Sequence, residues 1–203
     1  MSKRRDSVKR RCQRCFININ MCFCESITNI QTKTHISIIF HVKEYFLTSN
    51  TGKIANLSLS NSSFEIRGVE NTPLKEDYTR GGIYQPYYLY PSEDAQLLDS
   101  HFINKHDKPI NLVVPDATWR QTKKFHKREP NLKGIPHVKL PFSQKSLYQL
   151  RKQKSEEGLC TIEAIAFSLG CLGDKTAQSH LINILEVMNK KVMETRTHHF
   201  NKE

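Results

Sequence analysis

The chain has 203 residues, 37% of them hydrophobic, and its 31 Lys and Arg residues against 20 Asp and Glu residues give a net charge of +11. This length suits one domain with a sizeable core, and the composition excludes a disordered chain. The longest apolar run, residues 36–42, is too short to span a bilayer, and no apolar segment follows the basic start as it would in a secretory signal. We therefore expect a cytoplasmic protein with reduced cysteines.

Apolar runs alternate with helical patterns along the chain. Five β-branched or aromatic runs predict strands at 35–42, 63–67, 87–90, 110–114 and 137–140. Helices are predicted to begin before residue 54, to occupy 93–99, to run from Pro115 to Pro130, and to cover 162–169 and 177–192. Residues 68–86, rich in Gly, Pro, Thr and charge, predict a long surface loop. Strands alternating with helices predict a single α/β domain with a mostly parallel sheet.

The positive charge is concentrated at the start of the chain. Residues 1–15 contain seven Lys or Arg residues and one Asp, a net charge of +6. Such an arm attracts polyanions by releasing condensed counterions, although a solvated tail that only aids solubility is an equal alternative. The predicted organisation is a basic arm at 1–11, a cysteine module at 12–30, the α/β domain at 31–195 and a tail at 196–203.

Four of the six cysteines lie within 13 residues, as two close pairs: Cys12, Cys15, Cys22 and Cys24. Two such pairs joined by a short loop predict a tetrahedral Zn²⁺ site with four thiolate ligands. Because four thiolates leave no open coordination position, the metal would be structural. A disulfide pair and a chance cluster are the alternatives. Cys160 and Cys171 are predicted to be small core residues, and the nine histidines show no metal-ligand spacing.

The most informative segment is 114–119, where a buried strand ends and a helix begins. It contains Asp116, Thr118 and Trp119, the only tryptophan of the chain. Ligands of α/β sheets bind outside the carboxyl ends of the strands, so Asp116 is placed to accept a proton or hold an ammonium, and Trp119 to stack on a base. The alternative is that Asp116 caps the helix and Trp119 fills the core.

The segment Asp116-Ala-Thr-Trp119 resembles the D-x-T-W signature of the DTW-domain proteins. Further elements resemble that family in order along the chain: the cysteine cluster, His41-Val-Lys-Glu44, Asn50-Thr-Gly-Lys53, Leu89-Tyr-Pro-Ser92, Ser146-Leu-Tyr148-Gln-Leu-Arg151 and Leu159-Cys-Thr-Ile-Glu163-Ala. Val42, Ala117 and Cys160 depart from the usual proline, glycine and serine. The Ala117 and Cys160 departures each exchange one small residue for another, and they concern the backbone angle at 117 and one hydroxyl contact.

The resemblance implies a transferase that moves the 3-amino-3-carboxypropyl group of S-adenosylmethionine to the ring imide nitrogen of a uridine in tRNA, releasing methylthioadenosine. It also implies a SPOUT-like, trefoil-knotted α/β domain. Asp116 is then the candidate general base or the anchor of the donor ammonium, with Thr118 and Trp119 beside it. Three converging loops would hold the donor through Tyr90, Pro91, Ser92, Leu140, Ser146, Tyr148, Arg151, Thr161 and Glu163.

A basic helix follows the D-x-T-W segment. The spacing of Arg120, Lys123, Lys124, Lys127 and Arg128 puts these five cations on roughly one helix face. This face and the basic arm predict contacts to the tRNA backbone, a solvated stripe being the alternative. Two other functions stay open: a SPOUT-like RNA methyltransferase that uses the same donor, and a zinc-stabilised RNA-binding protein without catalysis.

Overall fold

A computed structural model describes residues 10–48, 50–69, 72–103, 107–141, 145–148 and 158–200. The strands are β1 His35–His41, β2 Ser62–Arg67, β3 Gln85–Leu89, β4 Gln96–Leu97, β5 Ile110–Asp116 and β6 His137–Lys139. They form one parallel sheet in the order β2-β1-β5-β3-β6-β4. The helices are α1 Val42–Tyr45, α2 Thr51–Ser58, α3 Ser100–Ile103, α4 Trp119–Arg128, α5 Thr161–Cys171 and α6 Lys175–Phe200.

The central strands are apolar at nearly every position because both faces of the sheet are covered. Ile38, Phe40, Leu112 and Val114 share the larger core, to which α2, α5 and α6 contribute. The alternate residues Ile39, Val113 and Tyr88 share a smaller core with Phe125 of α4. We call these two sides the α2 face and the α4 face. The predicted α/β domain with a mostly parallel sheet is confirmed.

The cysteine segment packs on the α2 face. Cys15, Ile17, Phe23 and Ile27 are all buried in the larger core. Its polypeptide backbone also joins the domain, because the Ile30 amide donates to the Ser58 carbonyl at 3.1 Å. The segment therefore shares the core of the α/β domain, even though the sequence sets it apart as a module.

One local prediction was wrong. Residues 93–99 contain no helix: Gln96–Leu97 is the edge strand β4, and the Leu98 amide donates to Lys139 at 2.9 Å. Seven residues are too few for a helix to be stable alone, and pairing with β6 satisfies the backbone instead. The predicted loop at 68–86 contains no helix or strand in its described residues before Gln85, where β3 begins, and the buried side chains of Leu74 and Tyr78 anchor it in the smaller core. In the part of the chain that the structure describes, no helix is both long and apolar enough to cross a bilayer.

Candidate functional site

Asp116 ends the central strand β5 and lies beside Phe40 of β1 in the strand register. Its alternation with Leu112 and Val114 directs it to the α2 face, where the side chain is 8% exposed. The Asn50 side-chain amide donates to Asp116 Oδ2 at 3.0 Å. A Cβ atom built on Gly52 would lie 2.2 Å from the same oxygen, so glycine is required for this close approach. The carboxylate is therefore fixed against the first turn of α2.

The segment 50–53 builds this arrangement locally. Asn50 Oδ1 accepts from the Lys53 amide at 2.8 Å and so caps α2, while the Asn50 amide group also donates to the Glu44 carbonyl. The Lys53 ammonium donates to the Tyr45 carbonyl at 2.8 Å and lies 3.2 Å from the Phe16 ring centroid. Burial lowers the pKa of Lys53 to about 8, and the nearby Cys15 and Asp116 oppose this shift. Lys53 thus connects the cysteine segment to the surroundings of Asp116.

The second half of the D-x-T-W segment lies on the other face. Thr118, not Asp116, is the N-cap of α4: its hydroxyl accepts from the Gln121 amide, and the Gln121 side chain accepts from Thr118 N at 2.8 Å. Trp119 is 62% exposed. Both parts of the alternative reading, an Asp116 cap and a core Trp119, are therefore wrong. Ala117 has no positive φ, so an alanine there is free of strain.

Trp119 lies beside the predicted site residue Tyr90 and beside two histidines, His126 and His137, that the sequence did not single out. Its ring centroid is 6.0 Å from that of Tyr90, and Tyr90 is 5.6 Å from His137. His137 Nδ1 is 2.6 Å from the Ser92 hydroxyl, and its Nε2 is 2.8 Å from Nε2 of His126. Burial and the neighbouring His126 lower the pKa of His137, and Asp94 opposes them. No sequence spacing could have linked His126 and His137, because a short 3-10 helix at Pro130–Leu132 and a turn separate them.

Glu163 organises the third loop. Its carboxylate is fully buried and accepts from the Ser146 hydroxyl at 2.6 Å, from the Leu147 amide and from the Cys160 amide at 2.8 Å. Tyr148 is buried in the larger core, whereas Leu140, Ser146 and Thr161 are half-buried and Pro91 is exposed. Arg151 lies outside the described residues. Asp116 does not line either of two surface cavities in the described part of the chain, one beside Lys75–Thr79 and one beside His41.

The five predicted cations of α4 are all exposed: Arg120, Lys123, Lys124, Lys127 and Arg128. Thr122 and Phe125 form the buried side of the same helix. The stripe therefore faces solvent on the α4 face, next to Trp119. Most of the predicted basic arm, residues 1–9, lies outside the described residues, and the Arg11 guanidinium donates to the Phe46 carbonyl at 2.9 Å.

The four clustered cysteines converge on one point. All four Sγ atoms lie within 4.8 Å of one another, with 3.7 Å between Cys12 and Cys24 and 3.9 Å between Cys15 and Cys22. A tetrahedron with Zn–S bonds of about 2.3 Å has sulfur–sulfur edges of about 3.8 Å, so the sulfurs fit this metal. These separations exclude disulfides, whose sulfurs lie about 2.0 Å apart. The predicted cluster is confirmed, and zinc remains a prediction.

The thiols of the cluster differ in acidity. Burial raises the pKa of Cys15 to about 11 and also raises that of Cys24. Burial acts in the same direction on Cys12, but hydrogen bonds from the amides of Cys15 and Arg14 outweigh it and lower the Cys12 pKa to about 6. One thiolate therefore forms readily, and a bound cation would allow the others to ionise with it.

The chain matches one protein family and several named relatives. The DTW domain family matches residues 9–193. The chain is 24% identical to tRNA-uridine aminocarboxypropyltransferase 2 of Macaca fascicularis over 82% of this chain and 58% of the relative. The proteins of that name from Drosophila melanogaster and Mus musculus are 25% and 24% identical, over 81% and 79% of this chain and 67% and 56% of the relatives. This chain thus spans little more than half to two thirds of their lengths.

No solved structure matches the chain. The family match covers nearly all of the sequence, and the motif residues Asp116, Thr118 and Trp119 surround the end of one central strand. The chain therefore belongs to the DTW domain family.

Proposed function

We propose that this protein transfers the 3-amino-3-carboxypropyl group of S-adenosylmethionine to the ring imide nitrogen of a uridine in tRNA. The observation that carries the proposal is the D-x-T-W segment at the carboxyl end of β5, with Asp116 fixed under α2 and Trp119 exposed beside Tyr90. The three relatives, which are named as tRNA-uridine aminocarboxypropyltransferases, support it.

The reaction requires one proton acceptor and accurate alignment. The imide N–H gives its proton to the Asp116 carboxylate, and the nitrogen attacks the side-chain carbon next to the sulfonium. The electron pair of the broken C–S bond passes to sulfur, so that neutral methylthioadenosine leaves. A sulfonium is already a good leaving group, and the chain's main contribution is then an in-line geometry. Asn50 and Gly52 supply part of it by fixing the carboxylate.

The choice of the aminocarboxypropyl group over methyl depends on the pose of the donor. We assign the donor to the loops at 90–92, 116–119 and 140–163, with Arg151 as a two-pronged partner of the donor carboxylate. Glu163 has three donors from its own chain, so its role is to hold Ser146 and Leu147 in place. A SPOUT-like trefoil knot in this region is part of the same proposal.

Zn²⁺ is the proposed occupant of the cysteine cluster. Cys12, Cys15, Cys22 and Cys24 would hold it with no position left for water, so that the ion acts on stability only. This site needs reduced thiols, and we therefore propose that the protein acts in the cytoplasm, where thiols stay reduced. The exposed stripe on α4 and the basic arm are the proposed contacts to the tRNA backbone.

The first test is nucleoside mass spectrometry of tRNA from cells with and without this gene. The second is a reaction of the purified protein with unmodified tRNA and S-adenosylmethionine, whose products are analysed in the same way. We expect 3-(3-amino-3-carboxypropyl)uridine only where the protein is present, together with methylthioadenosine. S-adenosylhomocysteine and a methylated base would identify a methyltransferase instead. Binding of tRNA with no product from either donor carbon would identify an RNA-binding protein.

A further inference from the structure

A second feature of the carboxyl edge lies one strand away from Asp116. It is a cavity of about 190 Å³ between the ends of β1 and β2 and helix α4. Its lining includes His41, Arg67, Gly68, Gln121, Lys124 and Arg128. Three of these side chains are basic, those of Arg67, Lys124 and Arg128, and we refer to the cavity as the basic pocket.

Arg67 is held rigidly in the wall of the basic pocket. Its Nε donates to Glu129 Oε1, and the Glu129 side chain is only 1% exposed. The second Glu129 oxygen accepts from the Leu74 amide at 3.0 Å. Both carboxylate oxygens therefore have partners, and Glu129 also lines the cavity. The charges of Arg67 and Glu129 cancel. The pocket therefore has a net charge of +2, which the exposed Lys124 and Arg128 contribute.

His41 adds a directed neutral donor. Its Nδ1 accepts from the Lys43 amide at 3.1 Å, which leaves the hydrogen of the neutral ring on Nε2. The ring stacks on Phe125, with centroids 6.0 Å apart and planes 16° apart. Gly68 has a φ of +97°, and a Cβ there would lie 2.9 Å from His41 Nε2. Glycine at 68 therefore leaves space next to this nitrogen, at the mouth of the cavity.

We propose that the basic pocket binds a backbone phosphate of the RNA substrate. A guanidinium, two further cations and an N–H donor around a small cavity match the charge and the acceptor oxygens of one phosphate group. Two of the pocket residues, Lys124 and Arg128, belong to the exposed stripe of cations on α4. An RNA strand that lies along this stripe therefore passes over the pocket. His41 directly follows Phe40, the register partner of Asp116, so the phosphate would lie close to the acceptor uridine.

This inference rests on the proposed function for the identity of the RNA as tRNA. The test compares two double variants of equal charge: Lys124→Gln/Arg128→Gln, which changes the pocket, and Lys123→Gln/Lys127→Gln, which changes its neighbours on the same exposed helix. Binding of unmodified tRNA is measured without donor over a range of salt concentrations. We expect the pocket variant to lose affinity about tenfold and the neighbour variant about two- to threefold.

Equal losses of tRNA affinity in the two variants would overturn the pocket proposal. They would show that tRNA responds only to the uniform positive charge of the helix surface. Thermal melting of both variants confirms that they fold, since all four changes are on the surface. Inorganic phosphate is the second probe: it should bind the wild type weakly, compete with tRNA and fail to bind the pocket variant. Phosphate binding that tRNA does not displace would assign the pocket to a small free anion and overturn the RNA proposal.

The two proposals can fail separately. Unequal tRNA binding by the variants, with no aminocarboxypropyl product from the wild type, would keep the pocket and remove the proposed activity. Product formation with equal KM values for tRNA in the two variants would keep the activity and remove the pocket.

Discussion

The charged side chains near the proposed site are buried on one face of the sheet and exposed on the other. On the α2 face, Asp116, Lys53 and Glu163 are 8%, 6% and 0% exposed, and each has hydrogen-bond partners from its own chain. On the α4 face, the cations of the helix and Trp119 face solvent. The D-x-T-W segment crosses from one face to the other, with Asp116 on the first and Trp119 on the second.

This difference separates two physical tasks. Burying ionisable groups costs free energy, and that cost is recovered only when partners hold the groups in one geometry. The α2 face therefore contains a rigid arrangement, as an in-line displacement requires. The α4 face leaves Trp119 and the five cations of helix α4 exposed to water, as a large polyanionic substrate requires. Substitutions of the buried residues on the α2 face should change the free energy of unfolding and the rate of transfer. Substitutions of the exposed residues on the α4 face should change only the binding of tRNA.

The largest effect should come from removing the metal, because the cysteine segment is part of the α2 face. A structural tetrathiolate zinc site is worth about 10 kcal/mol in small peptides, and even half of that would lower the melting temperature by about 10 °C. The measurement is a thermal melt with and without a chelator, with zinc counted by elemental analysis. Cys171→Ser is the control, since Cys171 lies outside the cluster. A protein purified without metal that melts at the same temperature would contradict the assignment.

Asp116→Asn should have the next largest effect. The amide still accepts from Asn50 but takes up no proton, so the transfer rate should fall by about 10² to 10⁴-fold. Donor affinity, measured by calorimetry, should stay nearly constant if Asp116 is the base. A large loss of donor affinity would show instead that Asp116 holds the donor ammonium. Asp107→Asn, a change at an exposed carboxylate outside the proposed site, is the matched control.

Gly52→Ala tests whether the close approach on the α2 face is needed. A Cβ would overlap Asp116 Oδ2 and lie 2.9 Å from Phe40, so stability should fall by about 1–3 kcal/mol and activity with it. Gly81→Ala is the comparison: its φ is +71° with open space around it, so it costs backbone strain without a clash. Denaturant melts and rate assays give both values. Full activity in the Gly52 variant would show that Asp116 tolerates displacement.

Trp119→Ala tests the α4 face. Because Trp119 is 62% exposed, the free energy of unfolding should change by less than about 0.5 kcal/mol. If the indole stacks on a base, KM for tRNA should rise about five- to a hundredfold, with Trp119→Phe retaining much of the affinity. A loss of stability typical of a core tryptophan, with KM unchanged, would remove Trp119 from the proposed site.

Much of the difference between the α2 face and the α4 face could be predicted from the sequence, and some of it could not. Strand positions follow from β-branched runs, and the cysteine cluster and the exposed basic side of α4 follow from spacing. The pairing of His126 with His137, and the edge strand at 96–97, depend on contacts between distant segments, which leave no local pattern. The two directions of Asp116 and Trp119 depend on where β5 ends, and element boundaries are the least certain part of a sequence reading.

The smallest effect should come from Cys160→Ser on the α2 face. Cys160 is the N-cap of α5, and its amide already donates to Glu163 in half of a capping box. Burial and Glu163 raise the pKa of the Cys160 thiol well above its usual value, so cysteine and serine are both neutral here and differ mainly in acceptor strength. A hydroxyl accepts from the helix amides better than sulfur does, so the variant should gain about 0.5–1 kcal/mol. Denaturant melts measure this gain, with Cys171→Ser, at the other end of the same helix, showing none. A destabilised Cys160→Ser would mean that the apolar contacts of the sulfur outweigh the cap, and that the α2 face depends on packing at this position more than on its hydrogen bonds.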